Sequence, residues 1–272
     1  MSAQTTTFCV RTFWVPKRGS SRQEYEDATW VGPDGNGNGE IQHQSLTAAV
    51  ADGASESLLA GRWARRLVEV FGKAGSATRT RTGFIAAYQE AVSSWDQEVL
   101  EYTMEREERG ASIQWYEEPG LAKGAYATIL AVKFSDGREG RPPNWKAVGL
   151  GDSCLFQVRD ESLYASFPMD DAASFSYQPP LLASRGTDVE TLRRHIRTKA
   201  NDWERGDSFY LVTDALAAWF LKINEIEGRP WEPLRDMDTH DAKLDFAGWV
   251  DEQRDLGQMH NDDTTLIRID MY

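Results

Sequence analysis

Cysteine and histidine are scarce in this sequence, long apolar runs are missing, and positive charge is in deficit. The chain has two cysteines and four histidines in 272 residues, and a formal charge of −13. Cys9 and Cys154 sit inside apolar runs without Cys-x-x-Cys spacing, which excludes a disulfide framework and a zinc finger and suggests a reducing compartment. His43, His195, His240 and His260 show no ligand spacing with the carboxylates. No apolar run approaches the roughly 20 residues that span a bilayer. The opening MSAQTTTFCVRTFWVPKRG lacks the charged start and apolar stretch of a signal peptide. The expectation is a cytoplasmic protein. The acidic surplus argues against nucleic acid and against anionic lipid as partners.

Apolar material is plentiful, with 40% hydrophobic and 11% aromatic residues, enough for a substantial core. No repeat, low-complexity segment or linker divides the chain, so one domain over 1–272 is expected. Strands are predicted at TTFCVRTFWV, SLTAAVAD, AYATILAVKF, NWKAVGLGDSCLFQVRD, SFYLVTD and DTTLIRIDMY, each β-rich and bounded by turn residues. Helical spacing appears in 57–72 through Leu59, Trp63, Leu67 and Phe71. It appears as one long stripe in 83–105 through Phe84, Tyr88, Val92, Trp95, Val99 and Tyr102, and again in 241–256 through Phe246, Trp249 and Val250. Strands, then two helices, then strands, then helices and a last strand is not the alternation of a parallel α/β protein. It reads as α+β, antiparallel sheets with helices on their outer faces. The polar stretches 105–125 and 166–206 read as mobile surface pieces near a site.

Acidic residues terminate the apolar strands. Asp52-Gly53, Asp152 and Asp214 end three of them, and Asp262-Asp263 open the last. Singly, each is an ordinary turn or cap residue. Antiparallel neighbours would bring the end of one strand beside the start of the next, so Asp214 and Asp262 can converge. Converging carboxylates repel and raise each other's pKa, and the natural compensation is a hard divalent cation, Mg²⁺ or Mn²⁺. Two such ions can share a bridging hydroxide and clamp a phosphoryl group. RQEYEDA then becomes intelligible, with Glu26 and Asp27 facing metal and Arg22 facing phosphate. GPDGNGNGEIQ imitates the start of a calcium loop at Asp34, Asn36 and Asn38, but Ser45 stands where the bidentate Glu belongs; a hairpin loop is expected. Ser153 lacks a nucleophile elbow and a histidine partner.

RQEYEDA, AVADGAS, GAYATILAV, GLGDSCLF, FYLVTDAL and DDTTLI occur in the order and approximate spacing of the metal-dependent type 2C protein phosphatases, and the resemblance spans nearly the whole chain. It implies a four-layer β-sandwich of two antiparallel sheets flanked by helix pairs, with a binuclear centre at one end and 166–206 as a flap. It implies that Asp52 bridges two metals with the Gly53 carbonyl as a further ligand, that Asp214 and Asp262 complete one site, and that Glu26 and Asp27 serve the other. Asp152 with Asp214 would hold a third, looser ion, and Arg22 would bind phosphate. The substrate would be a phosphoserine or phosphothreonine protein, with a cognate kinase as partner. The sequence departs from the family at Ala215 for a glycine, Asp263 for an asparagine, and Ala54 where some members carry a histidine. A catalytically silent metal-binding sensor and a phosphohydrolase of small phosphate esters are the alternative functions.

Overall fold

In the computed structural model, residues 6–272 are described apart from 33, 36, 76–79, 138–141, 176–177 and 238–241. The strands are β1 (Thr6–Val15), β2 (Ala28–Val31), β3 (Gly39–His43), β4 (Ser45–Ala51), β5 (Tyr126–Ala127), β6 (Ile129–Ser135), β7 (Asn144–Leu150), β8 (Cys154–Arg159), β9 (Ser162–Phe167), β10 (Leu182–Ala183), β11 (Arg197–Asp202), β12 (Ser208–Val212) and β13 (Thr264–Met271). The helices are α1 (Ala60–Lys73), α2 (Arg81–Ser93), α3 (Trp95–Glu108), α4 (Glu118–Lys123), α5 (Val189–His195), α6 (Asp214–Glu225), α7 (Trp231–Arg235) and α8 (Ala242–Asp255). One sheet runs β3-β1-β13-β12-β8-β9 and the other β11-β7-β6-β4-β2, while β5 and β10 form a short ladder. All described pairings are antiparallel.

The central strands are apolar on both faces because both faces are covered. Trp63, Leu67 and Phe71 of α1, with Phe84 and Tyr88 of α2, pack on Ala49, Ala51, Ala131 and Val148. The small alanines of β4 let α1 approach the sheet closely. Between the sheets, Val50, Val132 and Phe134 meet Phe8, Phe209 and Ile267. On the far side Phe156, Tyr210 and Val212 pack on Leu216 and Phe220 of α6 and Phe246 and Val250 of α8. Phe156 and Phe220 stack with ring centroids 4.2 Å apart. The result is the expected α+β sandwich: helices, sheet, sheet, helices.

Three expectations need correction. The stripe over 83–105 is two helices, because the Ser94 hydroxyl donates to the Ala91 carbonyl (2.9 Å) and accepts from Arg66 Nε (2.7 Å), ending α2 before Trp95 starts α3. The 32–42 loop is no hairpin: β2 pairs with β4 and β3 with β1, so the chain crosses between sheets there. The stretch 166–206 carries regular structure, and its β11 is the edge strand of the five-stranded sheet. That strand has mostly exposed side chains and therefore no apolar signal. Asn36 and His240 lie outside the described residues. Among the described residues, no helix is long and apolar enough to cross a membrane. Both cysteines are buried and free.

Candidate metal centre

The acidic residues meet because the strands that carry them end together. Asp27 precedes β2, whose Ala28 lies opposite Ala51, so Asp27 and Asp52 leave their strands side by side. The Asp52 carbonyl accepts from the Thr128 N–H (2.8 Å), and the Asp52 N–H donates to Thr128 Oγ1 (3.1 Å). Thr128 Oγ1 lies 2.9 Å from Ser153 Oγ, tying the Asp52 turn to the turn that carries Asp152. This gives Ser153 a structural place. Gly151 there has φ +111° and sits so close to Thr128 that a Cβ would come within 2.5 Å. In the other sheet Val212 lies opposite both Leu266 and Cys154, which sets Asp214 near the start of β13 and the Asp152 turn.

Hydroxyls and backbone amides hold the carboxylates. Asp27 Oδ2 accepts from Thr213 (3.0 Å) and Thr265 (2.6 Å), whereas its Oδ1 is buried without a partner. Asp152 Oδ1 is likewise buried and unpartnered. Asp214 opens α6, and its Oδ1 accepts from the Ala215 N–H (2.5 Å). Because the chain runs straight into a helix at Asp214, Ala215 needs no glycine flexibility; it is buried in the outer core. Asp263 faces the backbone instead: its two oxygens accept from the N–H groups of Lys17 and Glu26, each at 2.7 Å. The Asp262 carbonyl accepts from the guanidinium of Arg254 (2.5 Å), a side chain only 3% exposed.

Electrostatics follow from burial and crowding. Burial, then Asp27, Asp214, Asp262 and Asp152, hold the Asp52 carboxyl well above the usual carboxylate range. Burial and then Asp263 and Asp214 do the same to Asp27. Burial, with Asp152 and Asp262, pushes Asp214 up to about 7, and burial with Asp262 pushes Asp152 up to about 6. The N-terminus of α6 offers partial positive charge to this cluster, within its first turn only.

Two sequence-predicted residues stand apart. Glu26 turns its carboxylate to the Ser55 hydroxyl and to Lys17 Nζ (3.5 Å), and Lys17 Nζ also reaches Ser55 Oγ at 2.6 Å. Burial raises the Glu26 pKa while Ser55 and Lys17 oppose it. Arg22 lies exposed on a 3₁₀ turn at 22–24, its guanidinium 5.6 Å from the centre of the Trp14 ring. Gly53 is wedged: a Cβ would come within 2.7 Å of the Glu26 carbonyl and 2.8 Å of the Ala60 backbone. Sequence reasoning missed Lys17, Ser55, Thr213, Thr265 and Arg254. The two threonines lie inside the quoted motifs and read there as strand residues, and Ser55 closes AVADGAS and reads there as a helix cap; Lys17 and Arg254 carry no local signal.

Among the described residues, no three acidic, histidine or cysteine side chains stand close enough together to hold an ion as they are placed. The donor chemistry nevertheless fits a hard cation. The cluster is all oxygen, burial and mutual repulsion hold the carboxyls back from ionising, and two buried oxygens lack any partner.

No protein-family model matches the sequence, and no curated protein does. Solved structures match in fold. The serine/threonine phosphatase PstP/Ppp of Mycobacterium tuberculosis is 15% identical over 97% of this chain and 98% of its own, with a TM-score of 0.56. The PstP catalytic domain in complex with two manganese ions is similar at 15% identity, 97% and 99% coverage and a TM-score of 0.54. The S. agalactiae serine/threonine phosphatase matches at 12% identity, 96% and 99% coverage and a TM-score of 0.54. At such identities the likeness is one of architecture, and the architecture of this chain is that of the type 2C serine/threonine phosphatases.

Proposed function

We propose that this chain is a metal-dependent phosphatase that hydrolyses phosphoserine and phosphothreonine in proteins with two Mg²⁺ or Mn²⁺ ions, a third being held more loosely. One observation carries the reading: strand register sets Asp27 beside Asp52, and Asp214 near the Asp152 turn and the start of β13 that Asp262 precedes, so that five carboxylates from distant stretches of chain lie at a single end of the sandwich. Asp52, the Gly53 carbonyl, Asp214 and Asp262 would hold one ion, Asp52 with Glu26 and Asp27 the other, and Asp152 with Asp214 the third. Bound cations would lower the pKa of water and polarise a phosphoryl group. The chain's own part is to hold the Asp27 carboxylate through Thr213 and Thr265, to fix the turns that carry Asp52 and Asp262 through Thr128 and Arg254, and to grip the substrate phosphate through Arg22, which is paired with no carboxylate among the described residues. The solved structures of similar fold are serine/threonine phosphatases, one of them with manganese, and this supports the choice of substrate and ion. A kinase acting on the same protein is the partner such an activity requires, and two buried, free cysteines agree with a cytoplasmic setting.

Purified protein should hydrolyse an aryl phosphate and phosphoserine or phosphothreonine peptides with Mn²⁺ or Mg²⁺ and stop with EDTA. Asp52→Asn and Asp214→Asn should each lower kcat at least a hundredfold, with circular dichroism unchanged. A second reading, a silent sensor on the same fold, draws on Lys17, whose ammonium already lies against Glu26. Wild-type protein that binds Mn²⁺ in calorimetry but turns over neither substrate would favour the sensor.

A further inference from the structure

Beside the carboxylate cluster the surface changes sign. A groove of about 510 Å³ begins at Ala215, next to Asp214, and runs along α6 past Trp219 to Lys222; its other wall is the turn 257–261 that leads into Asp262. Arg18, Lys222, Arg254 and His260 line it, and none of the lining side chains is a carboxylate, in a chain of net charge −13. Asp251 and Asp255, which pair with Arg18 at 3.4 and 2.7 Å, lie on α8 and do not line the groove. Arg254 is almost wholly buried: its Nη1 pairs with Asp251 (3.3 Å) and its Nη2 donates to the Asp262 carbonyl, while its Nε has no hydrogen-bond partner. Lys222 is exposed and paired with no carboxylate among the described residues. A concave, cation-lined surface with an unused buried donor is built for an anion. Its start, one residue from Asp214 and one from Asp262, sets that anion within a few residues of the group bound at the cluster.

We propose that this groove is the specificity subsite of the phosphatase, and that it takes an anionic side chain of the substrate peptide, a glutamate, an aspartate or a second phosphoresidue, a few positions from the phosphoserine or phosphothreonine being cleaved. The proposal rests on the phosphatase reading and adds the class of peptide preferred. Lys222 supplies the unpaired charge, Arg254 positive potential from beneath and Trp219 an apolar floor. An exposed charge pair is weak and screened by salt, so the preference is of modest size.

The test compares wild type with Lys222→Glu on an aryl phosphate and on three phosphoserine peptides, with neutral, glutamate-rich or doubly phosphorylated flanks. Wild type should favour both acidic peptides over the neutral one by about three- to tenfold in kcat/KM. Lys222→Glu should lose that preference, keep the aryl phosphate and neutral-peptide rates, and differ less from wild type in 0.5 M NaCl. A preference for only one acidic peptide names the source of the anion. No acidic preference in wild type, or an equal loss on all substrates in the variant, overturns the subsite while leaving the phosphatase reading standing. If wild type turns over nothing, fluorescence anisotropy of a labelled glutamate-rich peptide decides: binding weakened by Lys222→Glu upholds the groove, and equal binding by both proteins removes it.

Discussion

Among single residues, Lys17 is the one the sequence did not flag and the site cannot ignore. Its ammonium stands 3.5 Å from Glu26 Oε2 and 2.6 Å from Ser55 Oγ, so a positive charge of the chain's own already neutralises one carboxylate assigned to metal. A cation entering beside Glu26 must displace it or bind against it. With roughly a quarter of each side chain exposed, the repulsion is worth more than a surface pair and less than a buried one. We therefore expect Lys17→Met to tighten the weaker of two Mn²⁺ binding events by about tenfold in calorimetry; unchanged affinity would show that Lys17 does not compete. Asp263 teaches the converse. Its added charge, relative to the asparagine of the resembling family, spends both oxygens on the backbone N–H groups of Lys17 and Glu26. It clamps the loop that carries Glu26, and its charge adds to the repulsion on Asp27. Nothing in DDTTLI separates Asp262 from Asp263; only the hydrogen bonds do.

At the level of elements, legibility depended on burial. β1 and β4 were predicted to within a residue because ten and seven largely buried positions in sequence leave a strong pattern. β2 is four residues long, and β11, RTKAND, is an exposed edge, so neither carries one. The helices flanking the site start where a specific contact demands it. α6 opens at Asp214 directly after Thr213, an N-cap in extended conformation, and so Ala215 is tolerated where a turn would require glycine. The turn between β4 and α1 has no such freedom. Gly53 passes between the Glu26 carbonyl and the Ala60 backbone, neither of which is a flexible side chain that could retreat. Gly53→Ala is expected to destabilise by about 2 kcal/mol, a fall in Tm of about 4–8 °C, and to cost more activity than that loss explains, since the turn carries Asp52. Thermal scans with Mn²⁺ titrations check both parts, and a neutral substitution would refute the wedge.

The whole molecule holds a cluster of carboxyls that its own packing disfavours, and this sets a pH dependence. Asp214 and Asp152 titrate near 7 and 6 in the fold against an ordinary value of 3.8, so the folded chain binds more protons than the unfolded chain between those limits. Their stabilising contribution is complete below about pH 4 and lost as pH rises through about 6 to 7. Protein stripped with EDTA should thus melt several degrees lower at pH 7.5 than at pH 5.5, and Mn²⁺ should restore the loss at pH 7.5 by binding only the folded state. A flat profile in differential scanning calorimetry, with or without metal, would mean that the cluster is not strained. The amino-acid order alone determined the α+β class, the main strands, the helices over 57–72 and 241–256 and the set of acidic strand ends, since all of these are written in local periodicity and turn chemistry. Which ends meet was decided by tertiary structure alone. Strand register placed Asp27 against Asp52, threonines from remote segments took up the hydrogen bonds of Asp27, Arg254 fixed the Asp262 carbonyl, Lys17 reached Glu26, and the cationic groove formed between α6 and the turn before β13. The strand ends, the threonines and the groove walls join residues far apart in sequence, and the contacts of Lys17 and Arg254, nearer along the chain, cross loops that carry no periodic signal, so only packing of the two sheets and their helices brings these groups within reach.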